Sequence, residues 1–345
     1  MHQHAVSDRA PVRVLPGLRP DRLAEVTGAF REALRTAVDP DVRGLDRVAA
    51  QGALHRVLEW LWDVAAAPVL SALGLDAPHT SAAPWPRVWW IAGGPLSQLP
   101  LHAAGHHRER SGRTVLDCVV SSHTPTVRAL HHARRPRLVP PSDARALVVA
   151  MPTTPHQPPL PQAAAEAALL RARLPRAEVL GDGGSRPSRS EVLSSLPGHS
   201  IVHFACHALS DPADPSLSRL LLHDHATAPL TVASLAPVDL ERAELAYLSA
   251  CSTASTSAPA LLDEGIHLAM AFQLAGFRHV VSTLWEIDDA VALSVVDTFY
   301  TALRTESGTL DTDRSAQALH SAVRALRDRR LATPSLWASY LHAGT

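Results

Sequence analysis

An α/β fold, with a mainly parallel sheet sandwiched by helices, is what this sequence predicts, and three observations lead there. From residue 145 onward, short apolar runs alternate with helical patterns, as in successive βα units. The runs Arg145-Ala-Leu-Val-Val-Ala-Met151, Ser200-Ile-Val-His-Phe-Ala-Cys206 and Leu245-Ala-Tyr-Leu-Ser-Ala250 are almost continuously apolar, as strands buried on both faces are. The chain has 345 residues with 46% hydrophobic content, enough for a sizeable core in one large domain or two smaller ones.

Residues 1–43 read as an irregular arm and a helix over Arg22–Val38, closed by Asp39-Pro40. A subdomain over residues 44–140 follows. Leu54, Val57, Leu58, Leu61 and Val64 give a second helix, Arg87–Gly94 a strand ending in a glycine turn, Thr114–Val120 another strand and Thr124–Ala133 a short helix. Three prolines between Pro136 and Pro141 mark a boundary. The third segment, 141–345, carries the βα alternation. Its strands are Arg145–Met151, Ala177–Leu180, Ser200–Cys206, Leu245–Ala250 and Arg278–Trp285, with a short extra one at Arg219–His223. Its helices are Gln162–Leu174, one opened by the capping box Ser188-x-x-Glu191, one striped by Ile266, Ala269, Met270, Gln273, Leu274 and Phe277, and two closing helices. The closing helices are striped by Val291, Val295, Phe299 and Leu303, and by Leu319, Ala322, Val323 and Leu326. Arg324, Arg327, Arg329 and Arg330 fall on the outer side of the last one, where a solvated face is expected.

Formal net charge is −1, so no charge excess favours nucleic acid or an anionic membrane. All 32 fixed cations are arginine. The N-terminus lacks the apolar stretch of a signal peptide, and no run approaches a membrane span. Three scattered cysteines, Cys118, Cys206 and Cys251, cannot make a disulfide scaffold, and a cytoplasmic protein is expected.

The chemistry centres on Cys251, which follows an apolar strand and precedes a run of small hydroxylated residues. Ligands of open α/β sheets bind beyond the carboxyl ends of the strands. A thiol there needs an imidazole to yield the nucleophilic thiolate. His203 and His207 sit at the end of another strand. If that strand is unbroken, they lie about 13 Å apart at roughly 3.3 Å per residue, so both cannot serve one atom. His207, at the carboxyl edge, is the one in reach of Cys251, and His203 is expected to make a structural hydrogen bond near the site. The same spread argues against a zinc site built from His203, Cys206, His207 and Cys251, so no metal and no cofactor is expected. Cys118 and Cys206 read as buried small hydrophobes, and His106, His107, His131 and His132 as solvated loop residues.

His203-Phe-Ala-Cys-His207, Leu248-Ser-Ala-Cys251 and Gly276-Phe-Arg-His-Val-Val-Ser-Thr-Leu-Trp285-Glu-Ile-Asp288-Asp289, in that order, resemble the CHAT domain. So does Gly94-Pro-Leu-Ser-Gln-Leu-Pro-Leu-His102 upstream. This is a bacterial member of the caspase, separase and gingipain group of cysteine peptidases, and the resemblance runs from about Leu45 to the C-terminus. It implies a caspase-like sheet, with the N-terminal subdomain as a degenerate copy of the same fold. It also implies a dyad of His207 and Cys251 that cleaves a peptide bond through an acyl-enzyme. The oxyanion would be held by the backbone N–H groups of Cys251 and Ala208, donors worth a few kcal/mol. The family usually has glycine where this chain has Ala208. If the backbone there needs a positive φ, alanine is strained; if φ is ordinary, the change is harmless.

In relatives selective for basic residues, an acid in the region of Asp288 and Asp289 binds the side chain preceding the cut. Trp285 would wall that pocket. Asp288 could equally cap the helix that follows. Asp263 and Glu264 either favour a helix N-terminus or shape the pocket rim. The expected function is thus a cysteine endopeptidase cutting a protein or peptide substrate after arginine, in bacterial defence or regulated cell death. The alternative is a catalytically weak or inactive interaction module. Family members often work with helical-repeat sensors, and here such a sensor or regulator would be a separate chain.

Overall fold

Among the described residues, eight short strands lie side by side and three more form a small flanking sheet. In chain order they are β1 (Arg87–Trp90), β2 (Val120–His123), β3 (Ala146–Ala150), β4 (Ala177–Leu180), β5 (Ile201–Ala205), β6 (His207–Leu209), β7 (Arg219–Leu221), β8 (Leu230–Thr231), β9 (Leu245–Leu248), β10 (His279–Thr283) and β11 (Tyr340–Gly344). The structure is a computed structural model and describes residues 12–80, 82–136, 139–174, 176–181, 184–209, 211, 214–249, 264–285 and 287–345.

The large sheet has the order β1-β2-β11-β10-β9-β5-β3-β4. β4, β3, β5, β9 and β10 are parallel neighbours, and so are β1, β2 and β11. The two blocks meet at one antiparallel seam, β10 against β11, in the register Val281↔His342. Strands on both sides of residue 140 therefore share one sheet. Every residue of β3, β5 and β9 is buried, as strands covered on both faces must be.

The helices are α1 (Pro20–Val38), α2 (Leu45–Leu61), α3 (Ala67–Ala72), α4 (Val115–Cys118), α5 (Val127–Ala133), α6 (Pro161–Arg173), α7 (Arg189–Ser195), α8 (Glu264–Ala275), α9 (Asp289–Leu303), α10 (Ser315–Arg329) and α11 (Pro334–Trp337). Alternation along β5 shows how they cover the sheet. His203 faces Tyr300 of α9, with ring centroids 5.8 Å apart, and the next residue, Phe204, faces Phe272 of α8, also at 5.8 Å. Successive side chains of a strand point to opposite faces, so α9 and α8 lie on opposite sides. The Ser188–Glu191 capping box opens α7 as the sequence predicts.

Three expectations are corrected. Thr114–Val120 is not a strand but the short helix α4 leading into β2. Thr114 caps it by accepting from the Asp117 N–H at 3.1 Å, and Asp117 is drawn inward by Arg327. Arg327 does not lie on a solvated face; it is buried, and its Nη1 and Nη2 donate to the two Asp117 oxygens at 2.8 and 2.9 Å. His107 is buried rather than solvated, its Nε2 donating to the Ala103 carbonyl at 2.8 Å.

Candidate active site

β5 and β9 end together. Their register runs Ile201↔Leu245 to Phe204↔Leu248, so the chain leaves the sheet at the same edge, after Ala205 in β5 and after Leu248 in β9. The chain does not continue straight past Ala205. It turns at Cys206, and His207 opens β6, which pairs antiparallel with β7 in the register His207↔Leu221. That break removes the geometric conflict between the two histidines, for His203 stays in the sheet while His207 leaves it.

His207 is buried, and its Nε2 lies 2.8 Å from the Pro158 carbonyl. A carbonyl only accepts, so Nε2 carries a proton, and the tautomer that serves as a base would have its lone pair on Nδ1. Pro158 belongs to the proline-rich loop between β3 and α6. His225 fastens the same loop by donating from Nε2 to the Pro155 carbonyl at 2.9 Å. Ala208 lies within β6 and is not among the positive-φ residues, so alanine sits there without backbone strain.

Beneath the edge is a sealed polar chain. His203 is fully buried, with Nε2 2.7 Å from Glu166 Oε1 and Nδ1 3.1 Å from the Tyr300 hydroxyl. Its ring stacks on Tyr247, its register partner in β9, at 4.8 Å and 19°. The second oxygen of Glu166 accepts from the Ser249 hydroxyl at 3.1 Å. Glu166 thus ties the ends of β5 and β9 to α6. Burial and the Glu166 charge push the Tyr300 hydroxyl well above its usual range.

The other two cysteines are poor nucleophiles. Burial, with the Glu166 charge behind it, pushes the Cys206 thiol up to about 12. Burial, then the Asp117 charge, raises Cys118 to about 11. Both stay protonated near neutrality.

Of the remaining candidates, Cys251 and Asp263 lie outside the described residues. Glu264 and Asp289 open α8 and α9, and their side chains also lie outside. Asp288 is exposed, and its Oδ1 accepts from the Val291 N–H at 3.3 Å, which caps α9. Trp285 is buried, donating from Nε1 to the Ser335 carbonyl at 2.8 Å with its ring edge-on to Phe30 at 5.7 Å. Among the described residues no cluster of three or more His, Cys, Asp or Glu could hold a metal ion.

Sequence reasoning missed Glu166, Ser249, Tyr300 and Pro158. Glu166 left a signal, as the only acid in the otherwise apolar and basic helix Pro161–Arg173. Pro158 left none, because its backbone carbonyl does the work.

A sequence profile of the CHAT domain matches residues 55–345. The chain belongs to the CHAT domain family. No curated protein sequence matches this CHAT chain at a significant level. Solved structures with a similar overall shape include the pro- and mature domains of Porphyromonas gingivalis RgpB. The TM-score is 0.47 at 10% identity, over 94% of this chain and 76% of that one. A structure of the Arg-specific cysteine proteinase gingipain R gives 0.47 at 11% identity, over 94% and 74%. The Saccharomyces cerevisiae separase–securin complex gives 0.49 at 11% identity, over 94% of the CHAT chain but 22% of that chain. No helix among the described residues is long and apolar enough to cross a membrane.

Proposed function

We propose that this CHAT chain is a cysteine endopeptidase that uses a His207–Cys251 dyad to cut a protein partner after a basic residue, arginine foremost. The observation that carries the reading is the register of β5 against β9. Phe204 faces Leu248, His207 is three residues past the first (207 − 204) and Cys251 three past the second (251 − 248). The two segments that carry His207 and Cys251 thus start from one edge of adjacent parallel strands, which is where ligands of such sheets bind. The Pro158 hydrogen bond supports the role of base, since it leaves the His207 lone pair on Nδ1.

In this reading Nδ1 takes the Cys251 thiol proton as sulfur attacks the scissile carbonyl. The carbonyl oxygen becomes an oxyanion, held by the Cys251 and Ala208 N–H groups. Collapse breaks the C–N bond and His207 passes its proton to the leaving amine. Water, deprotonated by His207, then hydrolyses the thioester and restores the thiol. The ordinary backbone at Ala208 supports an active enzyme over an inactive module.

Asp288, Asp289, Asp263 and Glu264 supply the negative rim for arginine. Asp288 follows β10, on the far side of β9 from β5, and its carboxylate is exposed while capping α9. By family analogy alone, a separate helical-repeat chain would regulate the enzyme in bacterial defence. A positional peptide library incubated with wild type, Cys251→Ala and His207→Ala tests the reading. Cleavage after arginine that either substitution abolishes is expected. Intact peptides with wild type would leave only the interaction module.

A further inference from the structure

Beyond the carboxyl ends of β3 and β4 lies a cavity of about 490 Å³. One wall is Met151–Pro155, the start of the loop whose Pro158 carbonyl holds His207; the other is made by Gly181, Gly184, Ser185, Arg186 and His223. Three of the polar side chains that line it are without a protein partner among the described residues. The Thr154 hydroxyl is 95% buried yet has no hydrogen bond among the described residues, while the exposed Arg186 guanidinium and the half-buried His223 imidazole stay open to solvent. Buried hydroxyls are normally satisfied by protein, water or ligand, so Thr154 has hydrogen-bonding capacity to spare for a group that enters the cavity. The adjacent acid, Asp224, is already committed, because its oxygens accept from the Arg189 N–H at 3.1 and 3.2 Å. Among the described lining residues there is no carboxylate. A guanidinium, an imidazole and a hydroxyl lining one cavity are donors suited to a carboxylate.

We infer that this cavity is a second substrate subsite, which binds an acidic side chain of the peptide. The inference rests on the peptidase reading and deepens it. The sheet order β10-β9-β5-β3-β4 gives the direction, for the acids after β10 and this cavity lie on opposite sides of the β9–β5 edge. If arginine precedes the cut, the acidic residue follows it. Strands are about 4.8 Å apart, so the step from between β9 and β5 to between β3 and β4 is roughly 10 Å, about three residues of extended peptide. The favoured substrate carries glutamate or aspartate two to four positions after the cut.

The test uses C-terminally amidated decapeptides with one arginine and a single glutamate walked through the positions after it, plus one peptide with no glutamate and a free C-terminal carboxylate. Glutamate two to four positions after arginine is expected to lower KM about tenfold with kcat within about twofold. Arg186→Ala and Thr154→Val should each erase the preference. Thr154→Val breaks no hydrogen bond, so its Tm should stay unchanged, which separates lost recognition from lost folding. Fluorescence anisotropy of the same labelled peptides on Cys251→Ala reads the site without catalysis. Glutamate-dependent binding that Arg186→Ala removes would support the subsite even if wild type cleaves nothing. No positional preference in either assay, a preference that survives Arg186→Ala, or a preference for the free terminal carboxylate alone would overturn it.

Discussion

Glu166 is the residue on which the floor of the site depends. It is a carboxylate in a sealed interior, with one oxygen 2.7 Å from His203 and the other 3.1 Å from Ser249. Glu166→Ala strands the fully buried His203 without water, so it should cost about 3 kcal/mol or more in urea unfolding. Glu166→Gln keeps an acceptor and a similar shape, and should cost less. Equal losses would mean that packing, not the polar chain, is what matters. At Ala208 the extended backbone gives glycine no advantage. Ala208→Gly should leave kcat/KM within about twofold and cost about 0.5–1 kcal/mol of stability. A tenfold gain in activity would show that alanine does distort the oxyanion hole. At this scale the sequence was legible where a side chain carries the chemistry, as with His203 and His207. It was silent where the group is a backbone carbonyl (Pro158) or where partners meet only through the fold. Glu166 and His203 are 37 residues apart and on different elements.

Among the elements, α4 and α10 show how an ion pair can override local pattern. Val115-Leu-Asp-Cys118 is a short apolar run, and periodicity cannot tell a buried strand from a helical turn at that length. Asp117 decides it. Burial would push its carboxyl up, but the Arg327 hydrogen bonds, with Thr114 and Arg324, hold it below its usual value. Arg324 completes the cluster by donating to Asp117 at 3.2 Å while lying 4.8 Å over the Trp85 ring. Arg327→Ala leaves that half-buried carboxylate with only Arg324 and Thr114 and should cost about 2–3 kcal/mol by denaturant unfolding. Arg330→Ala, at an exposed position on the next turn, should stay within about 0.5 kcal/mol. Similar losses at the two positions would contradict the pairing. β3, β5 and β9 were readable because each is a nearly unbroken apolar run. β11 was not, because Tyr340-Leu-His-Ala-Gly344 carries a histidine and follows a short helix, and its pairing with β10 and β2 comes only from the fold. Gly344 is required there. Its φ is +110°, and a Cβ would lie 2.0 Å from the Arg278 carbonyl oxygen.

Across the whole molecule, buried histidines set the response to acid. His102 Nδ1 lies 3.3 Å from His123 Nε2, and His342 Nε2 lies 3.2 Å from His279 Nδ1, around the seam where the two parallel blocks meet. Burial lowers His102 to about 4, and His123, His107 and His320 to about 3. These groups bind protons more readily unfolded than folded. Their stabilisation is therefore complete above about pH 6.5 and is lost as pH falls toward 4 and then 3. Each adds a slope of up to about 1.4 kcal/mol per pH unit in that window. Urea midpoints should fall steadily from pH 7 to pH 5, and His123→Gln should flatten the slope; a pH-independent midpoint would contradict this. The most direct test of the central claim remains positional peptide-library cleavage by wild type beside Cys251→Ala and His207→Ala. The account predicts cuts after arginine with wild type and none with either variant. Cleavage that survives loss of the thiol, or a preference for an acidic residue before the cut, would contradict it.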